Sequence, residues 1–276
     1  MASAVARYAL AMATVDTLLG PRCSLIGMVH LLPLPGSAGW GGSMGAVIES
    51  ALRDANALVE GGCDGIVVEN MGDVPYLKGR VLPETTAAMA IAVREITACH
   101  PDVPVGVQVL AAANREALGV AVAAGAAFIR VEAFAYAHVA DEGWLDACAG
   151  ELCRARMMLG ADVSIWADVQ KKHAAHAVTA DLSLTELAEG AVFMGADALV
   201  VTGSATGRPT ATEDVVAAAA AGRPVVVGSG VTASNAPSFA TTANALIVGS
   251  WLKEDGQWRR PVDVGRVRAL RRALSG

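Results

Sequence analysis

VVVGSGVTASN at residues 225–235 and LIVGSWLKEDG at 246–256 repeat one pattern: a run of branched apolar residues, then Gly-Ser, then the start of another segment. A run apolar at every position is a strand buried on both faces, which parallel sheets produce. Working outward from these two, six more short runs rich in β-branched residues appear, giving strand cores at 25–31, 65–69, 105–110, 128–133, 164–168, 198–202, 225–228 and 245–249. Helical patterns fill the intervals, at 44–61, 83–99, 114–124, 144–159, 184–194, 212–221, 235–242 and 262–273. Gly62, Gly125, Gly160, Gly195 and Gly222 stand where helices should stop. Eight right-handed β-to-α crossovers close a sheet into a (β/α)8 barrel. A doubly wound open sheet would carry a nucleotide fingerprint near its first strand, and HLLPLPGSAGWGGS at 30–43 has none.

The 276 residues suit one such barrel, read as a single domain over 1–276. Apolar residues make up 54% of the chain and charged ones 17%, enough apolar material for a core that needs neither metal nor disulfide. Cys23, Cys63, Cys99, Cys148 and Cys153 form no even set and no CxxC pair, so reduced and mostly buried thiols are expected. The opening MASAVARYALAMATVDTLLG has no cleavage context; residues 1–21 are expected to form a helix covering the barrel bottom. No stretch of about 18 uninterrupted apolar residues exists to span a membrane. A net charge of −6 gives no general attraction to nucleic acid. A cytoplasmic homo-oligomer without a cofactor is the expectation, and its partner a small phosphorylated anion.

In a barrel, chemistry sits where strands end at their carboxyl side. The last two strand ends, Gly228-Ser229-Gly230 and Gly249-Ser250, occupy the phosphate position of the fold, where bare backbone lets amides converge on an anion. TGSATG at 202–207 adds Gly203 and Gly207. Catalytic candidates are Asp168, Glu69, His173, Lys172 and His30. Asp168 and His173 would share one rim of the pocket with Lys172 as positive charge or nucleophilic amine. Burial would raise Glu69 toward a working proton carrier. Plainer alternatives stand beside these: Asp168 bonded to neighbouring backbone, Lys171 and Lys172 in solvent, Glu69 in a salt bridge with Arg130, and His30 merely satisfied in the barrel mouth. Asn70, Asp73, Gln108, Arg130, Glu132, Thr202 and Thr206 are the substrate-binding candidates. His100 and His138 read as surface or loop residues, and no ligand spacing supports a metal.

Taken together, GMVHLLPLPG at 27–36, EGGCDGIVVENMGD at 60–73, ADVQKKHA at 167–174, VTGSATGRPT at 201–210, PVVVGSGVTASN at 224–235, IVGSWLKEDG at 247–256 and PVD at 261–263 resemble the BtpA/SgcQ family. The resemblance implies a barrel related to ribulose-phosphate-binding enzymes. It also implies a link either to photosystem I biogenesis or to nucleosidase-like chemistry. The chain departs from that pattern where strand three usually ends in a run like GVNVLRNDA and strand four in RVN. Here they read GVQVLAAAN at 106–114 and Arg130-Val131-Glu132. A changed substrate, or lost catalysis, is what those departures imply. Three functions follow as expectations: acid-base chemistry on a phosphorylated pentose or nucleoside-like compound, a non-catalytic assembly factor, or a Schiff-base aldolase using Lys172.

Overall fold

The computed structural model describes residues 17–203 and 210–275. Eight parallel strands close on themselves: β1 (Ser24–His30), β2 (Gly65–Glu69), β3 (Val105–Gln108), β4 (Phe128–Val131), β7 (Ser164–Asp168), β9 (Ala198–Val201), β10 (Val225–Val227) and β11 (Ala245–Val248). Their order around the cylinder is β1-β11-β10-β9-β7-β4-β3-β2, with β1 also paired to β2. Helices α1 (Met44–Gly61), α2 (Pro83–Cys99), α3 (Asn114–Ala124), α4 (Ala149–Met158), α5 (Leu184–Phe193), α6 (Thr212–Ala219), α7 (Ala236–Phe239) and α8 (Val264–Ser275) follow in alternation. The expected helix stops have positive φ. Gly62 and Gly125 close α1 and α3 in the left-handed conformation, which costs glycine little.

Two apolar cores divide the labour. One lies between cylinder and helices. The other fills the cylinder itself, from Ile26, Met28, Val67, Phe128, Trp166, Val200, Val226 and Ile247. Phe128 and Trp166 stack with ring centroids 3.8 Å apart; a side chain at Gly106 would run into the Phe128 ring. Leu18 and Leu19, from the segment before β1, join this inner core. Of the covering helix expected over 1–21, residues 17 and 18 are helical, residues 19–21 are turn and bend, and residues 1–16 lie outside the described residues. Among the described residues no helix is long and apolar enough to cross a membrane.

Side chains alternate across a strand with period two. Counting by two from the inner core therefore names what stands at the mouth: Met28 leads to His30, Val67 to Glu69, Phe128 to Arg130 and Glu132, Trp166 to Asp168, Val226 to Gly228, and Ile247 to Gly249. The cylinder is apolar through its body and turns polar and charged in its last layer.

Two sequence expectations are corrected. The segment beginning at 144 is not helical from its start. Residues β5 (His138–Ala140) and β6 (Gly143–Leu145) form an antiparallel hairpin, extended by β8 (Ala174–Ala175), and α4 begins only at Ala149. The alternation in HVADEGWL, turning at Asp141-Glu142, favours a hairpin over the helix. All five cysteines are free, but Cys99 is exposed and Cys148 and Cys153 are only partly buried.

Candidate functional site

The mouth encloses a cavity of about 240 Å³. His30, Glu69, Gln108, Arg130, Glu132, Asp168, Lys172 and His173 line it, as do Gly228, Ser229, Gly230, Gly249 and Ser250. The two glycine turns thus meet at one place. Strand pairing requires it: β10 and β11 are neighbours in register, Val227 beside Leu246. A Cβ on Gly228 would lie 2.6 Å from Val200 Cγ1 and 3.1 Å from an Arg130 guanidinium nitrogen; one on Gly249 would lie 3.0 Å from the His30 ring. Bare backbone here is what admits those two side chains. Ser250 opens a short 3-10 turn, whose first amides have no acceptor within the turn itself. The Ser229 hydroxyl accepts from the Gly203 amide at 3.2 Å, tying Gly203 to the turn. Thr206 and Gly207 lie outside the described residues.

Arg130 does not pair with Glu69. Its Nε and Nη2 donate to the two carboxylate oxygens of Asp168 at 2.9 and 3.1 Å, both side chains being buried. The bidentate fork also overturns the idea that Asp168 is bonded to neighbouring backbone. Arg130 Nη1 reaches across to the Gly228 carbonyl at 3.4 Å.

Glu69 is then left facing His30, its Oε2 3.6 Å from Nε2. Burial outweighs the nearby Arg130 and Lys172 cations and pushes the Glu69 carboxyl up to about 7. Burial, then the charge of Lys253, holds the His30 imidazole down at about 3, so it is neutral near neutrality. Its Nδ1 meets the Trp258 carbonyl at 3.4 Å. A carboxyl that takes up and releases a proton near pH 7 beside a neutral imidazole is suited to proton transfer.

Lys171 is not in solvent. It lies between Glu132 at 3.5 Å and Glu142 at 3.1 Å; burial acts to lower it, yet the two carboxylates together raise it. Glu132 itself is raised by burial, and its Oε2 accepts from the Ala112 amide at 2.9 Å. Lys172 is partly buried and lowered by burial and then by Arg130, and among the described residues it enters no ion pair. His173 is exposed at the rim, with φ +58°.

Asn70, Asp73 and Thr202 do not line the cavity. Asn70 Nδ2 donates to Asp73 at 2.9 Å while its Oδ1 accepts from the Leu110 amide at 2.7 Å, and Asp73 accepts from the Leu34 amide at 2.7 Å. These two residues sew together the loops leaving β1, β2 and β3. The period of two explains why: Asn70 follows inward-facing Glu69 and so turns away. Thr202 Oγ1 donates to the Gln170 carbonyl at 2.9 Å, fixing the loop that carries the lysines.

Sequence reasoning missed Glu142, Asp141, Tyr76 and Met28 on the cavity wall. It read His138 as a surface or loop residue; the residue opens the short β5 outside the barrel and is buried there, its ring 5.3 Å from that of His176. Burial, then His176, pushes its imidazole down to about 4. His100 is partly exposed, with Nε2 2.9 Å from Asn56 Oδ1. Among the described residues no three His, Cys, Asp or Glu side chains converge as a metal-binding group.

The sequence model of the BtpA family matches residues 22–276. An uncharacterized Caenorhabditis elegans protein, labelled mitochondrial, is 44% identical over 252 residues, covering 89% of this chain and 91% of its own. The photosystem I biogenesis protein BtpA of Synechocystis is 42% identical over 255 residues, covering 91% and 88%. Among solved structures, phosphoribosyl anthranilate isomerase from Thermus thermophilus superposes with a TM-score of 0.55 at 17% identity, over 91% of this chain and 98% of that one. At that identity the likeness shows the barrel fold alone.

Proposed function

The chain belongs to the BtpA family, and from that premise we propose that its barrel is an enzyme holding a small phosphate ester and moving a proton on it. The observation that carries the reading is Lys172. Every other lysine or arginine lining the cavity is matched by a carboxylate within 4.0 Å, and among the described residues Lys172 is not. A partly desolvated ammonium without a counter-charge attracts an anion, and it shares the cavity with the two glycine turns. Phosphate at Gly228–Gly230 and Gly249–Ser250, with Lys172 as its counter-charge, completes that balance.

Glu69 is the proton carrier in this scheme. Asp168 is a positioning residue that fixes Arg130, and Arg130 in turn addresses the ligand. The ligand is a phosphorylated pentose or a nucleoside-like compound. The reaction is of the isomerase, nucleosidase or glycosyl-transfer type, in each of which a proton moves on or off the sugar.

Calorimetry and thermal shift with inorganic phosphate and ribose 5-phosphate test the reading. Ligand at about 100 times Kd should stabilise the fold by about 2.7 kcal/mol, and Lys172→Gln should abolish most of the shift. Absence of any shift with both ligands would remove the anion site, and full turnover by Glu69→Gln would remove the proton carrier.

A second reading rests on the name borne by the Synechocystis relative: a non-catalytic assembly factor. Complementation separates the two. An assembly factor keeps its cellular role when Glu69→Gln and Lys172→Gln are combined, and an enzyme does not.

A further inference from the structure

The charged layer of the mouth is not uniform. In the ring order β1-β11-β10-β9-β7-β4-β3-β2, the strands diametrically opposite β10 and β11 are β3 and β4. A ligand with its phosphate against the glycine turns after β10 and β11 therefore directs its other end toward Gln108 on β3 and Glu132 just past β4.

Gln108 is 3% exposed, lines the cavity, and its Oε1 has no hydrogen-bond partner. It stands beside Glu69 in register, so the proton carrier and the unsatisfied carboxamide are neighbours in one layer. A buried amide oxygen without a donor is costly, and such groups in native folds call for an explanation. Apart from the carboxamide's own N–H groups, the capacity left around it is mainly that of acceptors. Among the described residues Glu132 and Glu142 pair with one cation, Lys171, which leaves carboxylate lone pairs over, and Asp141 adds a further carboxylate to the wall. Acceptors without donors are complemented by a ligand end rich in donors.

Resting on the phosphate-ester reading above, we infer that the far end of the ligand is polyhydroxylated and that Gln108, aided by Glu132 and Glu142, is the residue that reads its hydroxyls. Of the two ligand classes proposed above, the phosphorylated pentose is the one this end of the cavity favours. Gln108 is thus a specificity residue, separate from the anion grip, and its neighbour Glu69 is placed to exchange the proton of a carbon or hydroxyl held there.

The test is a matched pair of esters, glycerol 3-phosphate and propyl phosphate, titrated by calorimetry into the wild type, Gln108→Leu and Gln108→Glu, with inorganic phosphate as reference. Wild type should prefer the glycerol ester by roughly tenfold or more, because a site built around hydroxyls leaves its own polar groups unpaired with the analogue lacking them. Gln108→Leu should lose that preference while binding inorganic phosphate as wild type does, which also reports that the variant is folded. Gln108→Glu, which keeps an acceptor, should retain it. Equal binding of the two esters by wild type overturns the inference and leaves the anion site standing. Binding of neither ester nor phosphate overturns both. A preference confined to phosphoethanolamine over ethyl phosphate overturns the hydroxyl assignment in favour of an ammonium group.

Discussion

Glu69→Gln tests the electrostatics of the mouth without any knowledge of the substrate. In the folded barrel burial lifts the Glu69 carboxyl from its ordinary 4.5 to about 7. The unfolded chain therefore gives up this proton at lower pH than the folded one does. Stability from this group is present below the unfolded value, declines as pH rises toward the folded value, and is level beyond it. A gap of two to three pH units corresponds to about 3 kcal/mol at full extent, and to about 2–3 kcal/mol between about pH 5 and about pH 8.5. Glutamine carries no titrating proton, so the variant should gain on wild type by that amount across the interval. The titration of His30 is common to both proteins and drops out of the difference. At about 2–4 °C per kcal/mol for a large domain, the melting temperatures should diverge by about 5–10 °C as pH rises. Urea denaturation at closely spaced pH values measures it. Curves that stay parallel within about 0.5 kcal/mol would mean that Glu69 is ionised at ordinary pH, and the proton-carrier role would be refuted.

Gly228→Ala should weaken phosphate binding and destabilise the fold by about 1–3 kcal/mol, since its Cβ meets Val200 and displaces Arg130; calorimetry and melting of one sample check both. Lys253 is fully buried, with Nζ 2.6 Å from Asp54 Oδ2, so Lys253→Met should cost about 3–5 kcal/mol by stranding that carboxylate. Adding Asp54→Leu to it should recover much of the loss, as denaturant midpoints would show. Borohydride treatment with ribose 5-phosphate should leave Lys172 unlabelled by mass spectrometry. A reduced adduct on that residue would transfer it from anion grip to Schiff-base amine.

The barrel was legible because a strand buried on both faces is apolar along most of its length, and eight such runs alternating with helical patterns are hard to read as anything else. Glycines at 62 and 125 supplied the helix ends, being residues that accept a left-handed turn. The inward layer needed one structural fact, that Val67 and not Val68 faces the inside of the cylinder. Starting from Val67, a step of two selects Glu69 and rejects Asn70, even though the motif ENMGD offers both with equal polarity. What the sequence did not disclose depends on contacts distant along the chain. Lys171 meets Glu142 only because Val139 pairs with Ala175 and Ala140 with Ala174 across the loop between β4 and β7. Nothing in QKKHA ranks the first lysine as clasped and the second as unpaired. Arg130 and Asp168 are likewise 38 residues apart, and their union follows from β4 lying beside β7 in the cylinder.

The placement of charge also bears on the choice between enzyme and assembly factor. Glu69, Gln108, Arg130, Glu132 and Asp168 are all nearly inaccessible, yet they stand directly on an apolar inner layer that includes Met28, Val67, Phe128, Trp166, Val226 and Ile247. Apolar residues of similar size at those positions would generally match or exceed the stability of buried ions. A protein whose work is done by its outer surface has no need of that arrangement inside its cylinder. A buried carboxyl pushed up to about 7, a guanidinium fixed by a bidentate partner and, among the described residues, an ammonium outside any ion pair are, by contrast, suited to a site that stabilises a changing charge. The assembly-factor reading has therefore to locate its function on the helical exterior, while leaving the interior unexplained. Replacing Glu69, Gln108 and Glu132 together by Met, Leu and Met separates the cases: the barrel should remain folded, and a loss of cellular function would assign that function to the mouth.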